Sequence, residues 1–125
     1  MNQYICSIKY PYTKYILQHH KLYEIRTKIP KDMKTGDRIF VVESGNHGKI
    51  PFHFLVGSII EIEPKLAWHR YHLLLGIPFE EFRKYVDGRD KIFLIEITNL
   101  HNEYYCYSVN DLGFSRAPNW FYKWR

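Results

Sequence analysis

The sequence predicts an α+β domain of about six short strands and two to three short helices, most economically a small curled or closed β-barrel. Three observations predict it. Runs such as Arg38-Ile39-Phe40-Val41-Val42-Glu43-Ser44 are rich in β-branched and aromatic residues, the composition of strands. Stretches with helical spacing open at Pro11, Pro64 and Pro78, where a missing N–H costs nothing in the first turn. No repeat, linker or low-complexity segment interrupts the 125 residues, so a single domain spans 1-125.

Taken in order, Tyr4 to Lys9 alternates and reads as a first strand. The Pro11 helix follows, with Tyr12, Tyr15 and Ile16 toward the core and His19 and His20 near the negative end of its dipole. Leu22 to Thr27 is a short strand. Side chains two apart share a strand face, so Glu24 and Arg26 project together while Tyr23 and Ile25 point the other way. Thr27 to Lys34 is a basic connection, and Thr35-Gly36-Asp37 turns the chain into the Arg38–Ser44 strand. Gly45 to Pro51 is a loop. Phe52 to Glu63 returns as a strand, broken or bulged near Gly57. A helix from Pro64 to Leu75 stops at Gly76, and another starts at Pro78 with Phe79, Phe82 and Val86 on one stripe and Glu80 supported by Lys84. Ile92 to Ile95 is apolar on both faces, which marks a central strand. Tyr104 to Val109 reads as a further strand, and the aromatic C-terminal run as the last.

Composition bounds the function. No apolar run approaches the ~20 residues that span a membrane, and no signal-peptide pattern opens the chain. Cys6 and Cys106 form no CxxC pair and are expected to be buried, reduced thiols, which places the protein in the cytoplasm. His69 and His72 lie three apart, but no HExxH motif or suitably spaced carboxylate accompanies them, so neither metal nor cofactor is expected. The Gly45–Gly48 loop lacks the P-loop spacing. The net charge is +5. Residues 1–49 carry nine Lys/Arg against four Asp/Glu, and residues 50–125 nine against nine. One basic half suits a surface that faces an anion, most naturally a nucleic-acid backbone. The same lysines would also simply solvate a loop. The run Arg116 to Arg125 interleaves cations with Trp120, Phe121, Tyr122 and Trp124, a composition that suits unpaired bases.

The order of pieces resembles a known family. A strand ending Ser7-Ile8-Lys9, a proline-started helix, Lys21-Leu22-Tyr23-Glu24-Ile25-Arg26 and then Thr35-Gly36-Asp37 before a hydrophobic strand are similar to the ASCH domain, a branch of the PUA-like β-barrels. Pro78 to Tyr85 with Gly88, the strand Lys91 to Thr98, and the ending Arg116-Ala117-Pro118-Asn119-Trp120 extend the likeness over nearly the whole chain. The resemblance implies a PUA-like barrel with a cleft used for RNA, single-stranded or modified. Carried over by position, the cleft residues are Lys9, Lys21, Tyr23, Glu24, Arg26, Ser44 and Arg116, with Trp120 offering a stacking surface.

Some members of that family are enzymes, which sets an alternative to pure RNA binding. One group hydrolyses N4-acetylcytidine with a lysine, a threonine and a downstream acid. Lys21 matches the lysine, but Glu24 replaces the threonine and Leu73, Leu74 and Leu75 fill the region of the acid. Metal-free ribonuclease chemistry is the other enzymatic option, with Lys21, Tyr23, Glu24 and Ser44 as the groups to supply acid, base and charge stabilisation. Nothing in the sequence sets the oligomeric state.

Overall fold

The computed structural model describes residues 1–124. The order is β1 (Gln3–Lys9), α1 (Tyr12–Leu17), β2 (Tyr23–Arg26), β3 (Arg38–Ser44), β4 (Phe52–Ile62), α2 (Pro64–Leu75), α3 (Phe79–Tyr85), β5 (Ile92–Asn102), a 3-10 turn (Val109–Leu112) and β6 (Tyr122–Trp124). The strands form one six-stranded mixed sheet in the order β2-β5-β4-β3-β1-β6. Only β1 and β3 run parallel, which requires the crossover that carries α1 and β2.

The expected barrel closure is absent from this ladder: β2 and β6 are its edges, and no backbone pairing among the described residues joins them. The long strands β4 and β5 run through the sheet, and their register shifts twice, once between Val56 and Ile59. That irregularity coincides with Gly57, as expected from its place in a strand pattern. Glycine interrupts the side-chain surface there, and bulges increase local twist.

Three apolar clusters hold the layers. Alternate residues of β1, β3 and β4, with Ile16 of α1, Met33 and Phe121, form the largest. Ala67, Leu75, Phe82 and Val86 pack α2 and α3 onto Ile25, Ile62, Ile92 and Leu94. Ile5, Phe40, Val42, Ile50 and Val109 make the third, on the opposite face from the first, because strand side chains alternate. Trp124 packs against that cluster, with its ring 4.9 Å from Phe40.

Two expectations fail in the segment 103–109. It is not a strand: Tyr104 and Tyr105 have φ of 54° and 58°, which turns the chain, and only Ser108 makes a bridge, to Lys49. Cys106 is consequently exposed, while Cys6 is buried, and burial pushes the Cys6 thiol up to about 12. On α3, Glu80 pairs with Arg83 at 2.8 Å rather than with Lys84. His19 and His20 lie beyond the end of α1 and are exposed. Arg125 of the basic-aromatic run lies outside the described residues.

Asp37 shows how a turn is fixed. Its buried carboxylate accepts from the backbone N–H of Asn2 and of Lys34, each at 2.9 Å, so it satisfies two main-chain donors at the entry to β3. Gly76 is the most constrained glycine. It caps α2 at φ 59°, and a Cβ added there would lie 2.5 Å from the Cβ of Lys21. Both the left-handed backbone and the contact exclude a side chain. Gly76→Ala should therefore cost about 2 kcal/mol or more in a urea unfolding titration. A loss under about 0.5 kcal/mol would mean that Lys21 has room to move away.

Candidate functional site

The end of α2 and the start of β2 meet in a way that fixes Lys21. The last carbonyls of a helix have no partner within it. Here the Leu74 carbonyl accepts the Leu22 N–H at 2.8 Å, and the Leu75 carbonyl accepts Lys21 Nζ at 2.7 Å. Lys21 is 4% exposed, and its ammonium faces the negative end of the α2 dipole. Burial nevertheless dominates and pulls its pKa below the ordinary 10.5. Glu24 at 4.0 Å works against that shift and Arg26 works with it.

Strand alternation then aims Glu24 and Arg26 to one side. Arg26 Nε donates to Glu24 Oε2 at 2.8 Å, Arg26 Nη2 donates to the Ser7 carbonyl at 3.0 Å, and the guanidinium carbon lies 4.8 Å from the Phe121 ring centre. Burial opposes the Arg26 charge, but the Glu24 carboxylate outweighs it and holds the group above its ordinary range. A surface ion pair would be worth little. This pair is largely buried, with side-chain exposures of 14% for Arg26 and 10% for Glu24, and it has further partners.

A cleft of about 520 Å³ opens over these groups, a size suited to a small ligand or one nucleotide. Its wall comes from β1 (Ser7, Ile8, Lys9), α1 (Tyr12), β2 (Lys21, Glu24, Ile25, Arg26), the end of β3 (Ser44) and α3 with its approach (Ile77, Glu81, Lys84, Tyr85). Four cations face two carboxylates. The ring of Tyr12 lies between cations, 5.6 Å from Lys9 Nζ and 5.4 Å from Lys21 Nζ.

Of the residues expected from sequence, Lys9, Lys21, Glu24, Arg26 and Ser44 converge on this cleft. Tyr23 does not: it lies on the other strand face, its ring 5.4 Å from Tyr71, and burial raises its pKa, helped by Glu96. Arg116 and Trp120 are exposed and outside the lining. Their segment reaches the site through different residues. The Pro118 carbonyl accepts from Ser7 Oγ at 2.7 Å, and Phe121 packs under Arg26 with Trp120 edge-on beside it.

Ser7, Tyr12, Glu81, Lys84 and Tyr85 were not expected in the site. For α3 a signal existed: Glu81, Lys84 and Tyr85 follow i, i+3, i+4 spacing and so share a helix face. A separate buried carboxylate links the elements around it. Glu43 accepts from Thr13 Oγ1 at 2.5 Å, Tyr105 Oη at 2.8 Å and Asn46 Nδ2 at 3.0 Å, which ties α1 to β3. Burial, with Glu43 alongside, pushes the Tyr105 phenol up to about 12. Among the described residues no group of three His, Cys, Asp or Glu side chains is placed to hold a metal ion.

Fold and cleft together define a small α+β sheet domain with a charged, aromatic-lined groove at one end. The fold is that of solved ASCH structures. Crystal structures of an ASCH protein from Zymomonas mobilis superpose on nearly the entire chain at 16% identity. A tyrosine-to-phenylalanine mutant gives a TM-score of 0.85 and covers 100% of this chain and 91% of its own. A serine-to-alanine mutant gives 0.86, with 98% and 88% covered. The ASCH structure titled without a mutation gives 0.84, with 98% and 87%. Neither a protein-family model nor a curated protein sequence matches the chain.

Two outcomes follow from the charge cluster. Glu24→Ala leaves Arg26 and Lys21 buried without their carboxylate and should destabilise the fold by about 3 kcal/mol in denaturant unfolding; an unchanged midpoint would show that the cluster is solvated. Lys21 has its own pH signature. Its folded pKa lies below the unfolded value, so the unfolded chain holds a proton that the folded chain has released. Stability contributed through Lys21 must rise with pH, from its lowered folded value up to 10.5. Lys21→Met should flatten that part of the stability profile relative to wild type.

Proposed function

We propose that the cleft binds RNA, single-stranded or carrying a modified nucleotide, and that the protein acts as an RNA-binding module in the cytoplasm. One observation carries this reading: Lys9, Arg26 and Lys84 surround a groove of nucleotide size that also presents the rings of Tyr12 and Tyr85. Cations hold a phosphate, and aromatic faces take an unstacked base. Arg26 already has Glu24 to orient it, so its planar donors are fixed before a ligand arrives. The exposed Trp120, beside Phe121, extends an aromatic surface away from the cleft for neighbouring bases. The excess of basic over acidic residues in 1–49 supports the same choice of partner. No described helix is long and apolar enough to cross a membrane.

A second reading, an RNA-processing hydrolase, is favoured by the lowered pKa of Lys21, since a less protonated amine is a better base or nucleophile. Against the amidohydrolase form of it, the oxygen facing Lys21 from the Leu75 position is a main-chain carbonyl, which cannot shuttle a proton as an acid would. Binding is therefore the leading reading, with metal-free ribonuclease chemistry second.

A fluorescence titration with single-stranded RNA should show affinity that falls steeply with salt. In Lys9→Ala/Lys84→Ala the salt slope should drop by roughly one to two. Binding indifferent to salt, or no binding at low salt, would sink the RNA reading. The same RNA and acetylcytidine, incubated without metal, separate the two readings: turnover abolished in Lys21→Met with folding intact would put the hydrolase first.

A further inference from the structure

The two carboxylates of the cleft are held very differently. Glu24 is buried and engaged by Arg26 and Lys21. Glu81 is exposed, and among the described residues it has one polar partner, the hydroxyl of Tyr12, which donates to Glu81 Oε2. That bond crosses the cleft from α3 to α1. The lysines nearby are unused: among the described residues neither Lys9 nor Lys84 makes an ion pair.

The helix bearing Glu81 is lightly anchored. Phe82 and Val86 are its buried side chains, while Phe79, Glu80, Glu81, Arg83, Lys84 and Tyr85 are exposed. Left-handed Gly76 and Gly88, at φ 59° and 74°, bracket the segment. Lys9, Lys84 and Glu81 line the same cleft, so an anion on the two lysines would share it with the Glu81 carboxylate. A phenol is the weaker partner for that carboxylate, because it carries no charge.

From this we infer that Glu81 is a built-in electrostatic competitor of the ligand's phosphate: its carboxylate, held in the cleft by the Tyr12 hydroxyl, repels an anion that approaches Lys9 and Lys84 and swings away when a phosphate binds them. The inference rests on reading the cleft as a nucleic-acid site. Its consequence is selectivity: a lone weak anion gains too little to displace the carboxylate, whereas a polyphosphate or an RNA backbone, with several charges, does displace it. Glu81 acts on affinity through its charge in the cleft.

The test compares Glu81→Gln with Glu80→Gln, which makes the same charge change on the same helix but outside the cleft lining. Two probes are titrated at fixed salt, a labelled single-stranded oligouridylate and inorganic tripolyphosphate. Glu81→Gln should tighten both by about fivefold, and Glu80→Gln by less than about twofold. In a Tyr12→Phe background the gain from Glu81→Gln should shrink to less than about twofold, since the bond that held the carboxylate is gone. Equal effects of Glu81→Gln and Glu80→Gln overturn the inference. Weaker binding in Glu81→Gln also overturns it, and would make Glu81 a ligand contact, for example to a base amino group. Tripolyphosphate tightened by Glu81→Gln without RNA binding in any variant leaves the competitor role standing and removes the RNA reading. RNA bound equally by wild type and Glu81→Gln does the reverse, and no binding of either probe to any variant removes both.

Discussion

The cleft and the docking of the C-terminal segment both depend on one buried guanidinium. Arg26 sits on β2, an edge strand whose outer side has no strand partner among the described residues. Its side chain crosses that gap to the Ser7 carbonyl on β1 and lies over Phe121, the residue that leads into β6. A side-chain bond thus links β2 to β1, two strands that share no backbone ladder among the described residues. Burying a charge there costs several kcal/mol unless it is paired and hydrogen-bonded. Glu24 supplies the pairing, and Ser7 the second acceptor.

Lys21 is the second charge that the same carboxylate serves, and its environment is the more chemically tuned of the two. The helix end that receives its ammonium exists because Gly76 stops α2 at that point. Length and cap of one helix therefore set the position and proton affinity of a side chain about fifty residues earlier in sequence. That coupling makes the group usable: a lysine held in one rotamer, with its amine facing a cleft, costs little further ordering when a ligand enters.

Much of this was legible in the sequence, and the reasons differ by element. Arg38–Ser44 and Pro64–Leu75 carry dense local signals, β-branched residues in one and proline and glycine punctuation in the other. The shared face of Glu24 and Arg26 follows from strand alternation alone. Tyr104 to Val109 was misread because tyrosine and valine favour strands in general, while the actual path needs left-handed backbone at Tyr104 and Tyr105, which composition does not announce. Tyr23 belonged to the same six-residue motif as Glu24, yet alternation sent it to Tyr71 instead. The pairings Tyr12–Glu81 and Thr13–Glu43–Tyr105 link distant elements, and no local pattern encodes which helix will pack over which strand. Arg116 was expected from the family resemblance and Trp120 from the basic-aromatic composition, but irregular chain near Pro118 directs a carbonyl and Phe121 toward the site in their place.

The bond from Ser7 to Pro118 spans 111 positions of the chain. Loops of that length must close before the wall they form exists, so such contacts form late in folding. On a ribosome the constraint is sharper still, because chains emerge at about 5–20 residues per second, N-terminal part first. Lys9, Lys21 and Arg26 leave the exit tunnel many seconds before Phe121 can lie under the guanidinium. During that interval the newborn polypeptide displays basic side chains without the aromatic wall that completes their enclosure. The groove is therefore completed only once the segment around Phe121 has followed and folded back over Arg26.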